Sequence, residues 1–307
     1  MKKTIVIIIL LFTLSSCKVG RFVWYNFADI TDYKVFPSRE IRTDSAEVFH
    51  FKNGEAEKLD LKMNNGDSFE DYLKKNKTVA FLVIHNDSIK YENYFNNYNK
   101  ESIVASFSMA KSFTSFLIGC AIEDQYISSV NDPVTQYIPE LKKNGFDSVT
   151  IENLLQMTSG LDFNESYFNP FGHAATFYYG KKLNKSSLKL KLKNEPNKTT
   201  EYVSGNTQLL GMILDRVLKE KTISQYLEEK LWKQIGMEYN ATWSIDKHKN
   251  GIEKTFCCIN ARAIDFAKFG RLYLNKGNWE GNQTISRDWV DQSTKIDTSR
   301  GSVNYYQ

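Results

Sequence analysis

The first long apolar run after the N-terminal region is Thr78-Val79-Ala80-Phe81-Leu82-Val83-Ile84-His85. Asn86-Asp87 follows, and then Ser88 to Tyr94, where apolar and polar positions alternate. Two such runs joined by a short Asn/Asp turn predict a β-hairpin. From Ser108 the period changes: Met109, Phe113, Phe116, Leu117, Cys120 and Ala121 recur at steps of three and four, which predicts a helix to about residue 122. Thr150 to Leu155 has the form of a capped helix start, with Glu152 and Asn153 in its first turn. Amphipathic helices are also predicted over about 207–219 (Leu209, Leu210, Ile213, Leu214, Val217) and 261–274 (Ala261, Ile264, Ala267, Phe269, Leu272). Strands at one end and helices in the middle predict an α+β domain with a helical insertion, spanning 76–307. Residues 18–75 are polar and mixed, and read as an N-terminal tether with some ordered structure.

The N-terminus carries a targeting pattern. Lys2 and Lys3 precede an apolar run from Ile5 to Leu14, which is too short to cross a bilayer and reads as part of a signal peptide over 1–17. Leu14-Ser15-Ser16-Cys17 resembles a bacterial lipobox, which implies lipidation of Cys17 and an exported, membrane-anchored lipoprotein. The alternative is a plain secretory signal with an incidental cysteine. Of the remaining cysteines, Cys120 falls in an apolar helix, as a small buried hydrophobe does. Cys257 and Cys258 would point to opposite faces of a strand and so are not expected to pair with each other. The four histidines, His50, His85, His173 and His248, are scattered and no CxxC is present, so neither a metal nor a cofactor is expected.

Composition narrows the partners. The chain has 307 residues, 41% hydrophobic, with 40 basic against 36 acidic residues and a net charge of +4. Basic residues this evenly spread and balanced do not suggest nucleic acid. The run Lys181 to Lys198 is basic and reads as a solvated surface. Tyr167, Phe168, Phe171, Phe177, Tyr178 and Tyr179 form an aromatic stretch that either lines a substrate cleft or packs the insertion.

Chemistry concentrates on Ser-x-x-Lys. Residues i and i+3 share a helix face, so the amine can approach the hydroxyl. A serine hydroxyl becomes a good nucleophile only when a base takes its proton, and a desolvated lysine can be that base. The pattern occurs at Ser15/Lys18, Ser108/Lys111, Ser186/Lys189 and Ser244/Lys247, so spacing alone decides nothing. Ser15 lies in the signal segment, and Ser186 and Ser244 sit among polar residues that keep an amine charged. Ser108 alone opens an apolar helix where Lys111 can be buried and neutral.

Ser108-Met109-Ala110-Lys111 resembles the first motif of the serine β-lactamases and penicillin-binding proteins, and in particular their class C and esterase-like branch, which includes 6-aminohexanoate-dimer hydrolase. Val149 to Leu161, ending in Thr158-Ser159-Gly160-Leu161, is similar to that branch's helix and turn. Glu201-Tyr202-Val203-Ser204-Gly205-Asn206-Thr207 resembles its second motif, and 261–270 a later helix. The resemblance covers roughly 78–307. It implies an antiparallel sheet flanked by helices, Ser108 as nucleophile, Lys111 as base and Tyr202 as proton shuttle. It also implies that Ser204, Asn206 and Tyr178 border the substrate, although Asn206 could instead cap the following helix.

The family's third motif, Lys/His-Thr-Gly or a glycine-containing relative on a late strand, is not found. Lys254-Thr255 and Thr158-Ser159-Gly160 stand in other places. The expectation is therefore a truncated chain that lacks the late strands, and a polypeptide ending at Gln307 that is poorly stable and inactive. The reaction implied is hydrolysis of an amide or ester through a Ser108 acyl-enzyme. The rivals are a non-catalytic ligand-binding or sensor domain, and a β-lactamase or D-alanyl peptidase.

Overall fold

The computed structural model describes residues 18–296, apart from 26–27, 45, 55–60, 62 and 65. Cys17 and the signal segment lie outside the described residues. The elements that bear on the site begin with helix α1 (Lys18–Tyr25), strand β1 (Ser38–Ile41) and helix α2 (Phe69–Lys75). The hairpin follows as β2 (Ala80–His85) and β3 (Ser88–Tyr94), paired antiparallel as expected. Asn86 and Asp87 join them with φ of 49° and 58°, the left-handed pair that a two-residue hairpin turn requires.

The short strand β4 (Val104–Ala105) leads to helix α3 (Ala110–Glu123). Helix α4 (Ile151–Leu155) has the expected cap: the Thr150 hydroxyl accepts from Asn153 N–H, and Asn153 Oδ1 accepts from Thr150 N–H. Helices α5 (His173–Tyr179) and α6 (Ser204–Leu218) complete the helical layer. Strands β5 (Ala241–Ser244) and β6 (Ile259–Ala261) precede α7 (Ala263–Leu274). The result is an α+β fold.

The main sheet has the order β1-β5-β6-β4, with every neighbouring pair antiparallel. Its first strand comes from the segment expected to be a tether. Ser38–Ile41 is only four residues long and alternates in a polar context, so its pattern does not show until β5 is beside it. The same N-terminal segment also reaches the helical insertion. Phe22 and Phe36 pack on Tyr178 and Tyr179, and Asp32 accepts the Tyr178 hydroxyl at 2.8 Å. Among the described residues no helix is long and apolar enough to cross a membrane.

The core lies between α3, α6 and the sheet. Phe113, Phe116 and Leu117 of α3 and Leu209, Leu210 and Ile213 of α6 are fully buried, each stabilising by about 1.5–3 kcal/mol. Between the two helices runs the loop 253–258, tied to both. Thr114 Oγ1 of α3 donates to Thr255 O at 2.9 Å, and Thr255 Oγ1 donates to Thr207 O of α6 at 2.9 Å.

Gly160 closes the turn that holds the segment entering α6. Its φ is +72°, and a Cβ there would stand 2.2 Å from the Asn194 carbonyl oxygen. Around it, Lys193 N–H donates to Gly160 O, Asn197 N–H to Thr158 O and Glu201 N–H to Met157 O, which fixes the chain just before Tyr202. Gly160→Ala is expected to lower unfolding free energy by about 2–4 kcal/mol, read as a lower urea midpoint at an unchanged slope.

Candidate active site

The candidate nucleophile is presented by a strained turn. Ser108 is the middle residue of a 3-10 turn, Phe107–Met109, that runs directly into α3; the α-helix proper begins at Ala110, two residues after the expected start. Phe107 has φ of +43°, a left-handed conformation unusual for a large side chain and often kept where a site needs it. Ser106 anchors the turn to the sheet: its N–H donates to Ile259 O at 2.7 Å and its hydroxyl accepts from Ile259 N–H at 3.1 Å. Ser108 is thereby left exposed while the chain on either side of it is held.

Lys111 lies one turn further on and is buried, with 1% of its surface exposed. Its Nζ is 3.2 Å from Ser108 Oγ and donates to Phe256 O at 2.9 Å. The same Nζ is 4.9 Å from the centre of the Tyr202 ring. Burial pushes the amine down to about 8, because an ammonium loses hydration there; the Glu165 carboxylate opposes this by favouring the charged form. Its neutral form, reached more readily than for a solvated lysine, gives Ser108 a proton acceptor within hydrogen-bonding reach.

The three residues of the expected catalytic set thus meet at one place, although Tyr202 is 91 residues beyond Lys111 in the sequence. Ser108 opens onto a cavity of about 350 Å³, walled by Phe22, Tyr167, Phe168, Tyr178, Phe256 and other residues. Tyr178 and Ser204 both line it. Of the aromatic stretch, Tyr167, Phe168, Tyr178 and Tyr179 face the cavity, Phe177 belongs to the core and Phe171 stands exposed. Both uses considered for that stretch are therefore present.

Asn206 is different. It is fully buried, and its Oδ1 accepts the Ser159 hydroxyl at 2.5 Å. The α6 N-cap is Val203, so Asn206 sits inside the first turn and caps nothing. With no exposed surface it cannot border substrate; it ties the Thr158-Ser159-Gly160 turn to α6 from beneath.

Glu165 was missed by sequence reading. Its Oε2 accepts Ser204 N–H at 2.7 Å and its Oε1 accepts the Ser204 hydroxyl at 2.6 Å, so it caps α6 from 39 residues away. Oε1 also accepts the Tyr167 hydroxyl at 2.8 Å. Because its charge raises the Lys111 pKa, Glu165→Gln is expected to move that amine further below about 8. A pH titration of Ser108 labelling should show the midpoint shifted to lower pH.

The second correction concerns cysteine. Cys257 and Cys258 form a disulfide with each other. The opposite-face argument applies only to a strand; these residues lie in the bend before β6, and Cys258 has φ of +76°, which turns its side chain back toward Cys257. Cys120 is buried and free. Among the described residues no cluster of three or more His, Cys, Asp or Glu forms a possible metal site.

Known proteins resemble this chain in sequence and in fold. A 6-aminohexanoate-dimer hydrolase from Paenarthrobacter ureafaciens is 25% identical over 249 residues, which cover 76% of this chain and 61% of that protein. The chain thus spans less than two thirds of that curated relative. A proposed 6-aminohexanoate-dimer hydrolase from Bacillus anthracis superposes with a TM-score of 0.81 at 24% identity, over 90% of this chain and 77% of its own. A class C beta-lactamase mutant superposes at 0.55 and 17% identity, over 77% and 71% of the two chains. These structural likenesses speak to fold alone. The Beta-lactamase family matches residues 67–246, more than half of the sequence, and the chain belongs to that family.

Proposed function

We propose that this protein is a serine hydrolase that transfers an acyl group from an amide or ester to water through an acyl-enzyme on Ser108. The observation that carries the reading is the buried Lys111 amine 3.2 Å from an exposed Ser108 hydroxyl, at the mouth of the cavity. Lys111, when neutral, takes the hydroxyl proton as Oγ attacks the substrate carbonyl. The Ser108 N–H, at the start of the helical segment, donates to the developing oxyanion. Tyr202, beside the same amine, passes a proton to the leaving amine or alcohol, and a water then cleaves the ester on Ser108. The relatives named as 6-aminohexanoate-dimer hydrolases favour a small amide or peptide substrate over a β-lactam.

The test is labelling of the full-length protein with a fluorophosphonate probe. Labelling that disappears in Ser108→Ala supports the hydrolase. No labelling of folded protein would instead support a ligand-binding domain of the same fold.

The lipobox resemblance of Leu14 to Cys17 adds that the protein is exported and held on a membrane by a lipid on Cys17. Metabolic labelling with a fatty acid should mark the wild type and not Cys17→Ala; equal labelling of both would refute the anchor.

The reading also sets a pH dependence. Lys111 must be neutral to act, and its pKa is lowered to about 8, so kcat/KM should rise with pH and reach half its plateau near 8. A rate independent of pH between 6 and 10 would contradict this role.

A further inference from the structure

The Cys257–Cys258 disulfide stands beside the cavity, and the proposed mechanism leaves it unused. Cys257 lines the same cavity as Ser108. The residue before it, Phe256, supplies the carbonyl that receives the Lys111 amine at 2.9 Å. The residue before that, Thr255, supplies the carbonyl that receives Thr114 of α3. On the other side, Cys258 O accepts Ser244 N–H at 3.0 Å, and Cys257 O accepts the Trp243 indole N–H at 3.0 Å. The turn is therefore the joint between the sheet and the amine.

Cys258 holds a left-handed φ of +76°, which costs a non-glycine residue free energy and persists only while its surroundings enforce it. A covalent link between the two adjacent side chains is such a constraint. Without it, the backbone at 257–258 is free to relax, and the Phe256 carbonyl moves with it.

We propose that the Cys257–Cys258 disulfide is a reducible clamp that positions the Phe256 carbonyl against Lys111, and that opening it with a dithiol reductant switches the site off. The inference rests on the Ser108–Lys111 reading above. In the step, a thiolate of the reductant attacks one cysteine sulfur and breaks the S–S bond. Its second thiol then resolves the mixed disulfide. Two electrons and two protons pass to the cysteines, which become thiols, and the reductant ends as a disulfide. Because Cys257 borders the cavity, a small dithiol has a route to the bond.

The switch acts through Lys111, so it has a signature that loss of packing alone does not share. Loosening the turn admits water to the amine, and rehydration returns its pKa toward the ordinary lysine value. The titratable neighbours facing that amine, Glu165 from the loop before α5 and Tyr202 before α6, stay in place.

The experiment measures ester hydrolysis by the full-length protein across pH, oxidised and then treated with dithiothreitol, with bond opening verified by mass. On reduction kcat/KM at pH 7.5 should fall roughly tenfold or more, the scale on which a misplaced proton-transfer group costs rate. The midpoint of the pH profile should also move up, and reoxidation should restore both. The C257S/C258S double variant should resemble the reduced protein and ignore dithiothreitol. An unchanged rate and profile after verified reduction would overturn the clamp while leaving the Ser108 reading intact. Absence of fluorophosphonate labelling in the oxidised protein would overturn that reading and the clamp with it.

Discussion

Ser108→Ala is expected to abolish ester and amide hydrolysis, lowering kcat by about 10⁴-fold or more, with little change in stability. The reason is chemical. Ser108 Oγ is the atom proposed to bond to substrate, and it lies 3.2 Å from the Lys111 amine. Ser108 is exposed, so removing one oxygen leaves no buried cavity, and the hydrogen bond lost is to an amine still held by Phe256 O. The variant should therefore keep its unfolding midpoint and still bind substrate. Near-normal turnover in this variant would end the acyl-enzyme account.

Lys111→Ala is expected to cost about 10²–10⁴-fold in kcat/KM, the usual worth of a positioned general base. Fluorophosphonate labelling of Ser108 should slow in parallel. Lys111→Arg should not rescue it, because a guanidinium stays charged and cannot accept the Ser108 proton. Stability should move less than activity. Truncation leaves the Phe256 carbonyl without its donor, a cost of about 1–3 kcal/mol, but it also removes the burial of an amine that the site holds against its hydration. A Lys111→Ala protein that unfolds near the wild-type midpoint and yet hydrolyses at the wild-type rate would exclude lysine as the base.

Much of this site could be read from local pattern. The hairpin and the Ser108–Lys111 helix each depend on residues within about fifteen of one another, so periodicity and turn chemistry suffice. The burial of Lys111 followed from its apolar neighbours Phe113, Phe116 and Leu117, which the helix brings to one core. Tyr202 could be named only through the family's second motif, since no spacing rule links it to Lys111.

What stayed hidden depends on distant contacts or on backbone conformation. Glu165 looks like an ordinary loop carboxylate until α6 places Ser204 beside it. Strand β1 pairs with residues about two hundred positions away, and its four-residue pattern is too short to announce itself. The Cys257–Cys258 bond needs a left-handed Cys258, which side-chain alternation cannot reveal. Asn206 was assigned by motif, but the turn at Ser159 draws it under the site.

The central claim is a covalent intermediate on Ser108, and it can be observed directly. The full-length protein would be mixed with an activated ester, quenched with acid during turnover, digested and analysed by mass spectrometry. The account predicts the acyl mass on the peptide containing Ser108, present in the wild type and absent from Ser108→Ala. Turnover with no acylated peptide, or with the acyl group on another residue, would contradict it.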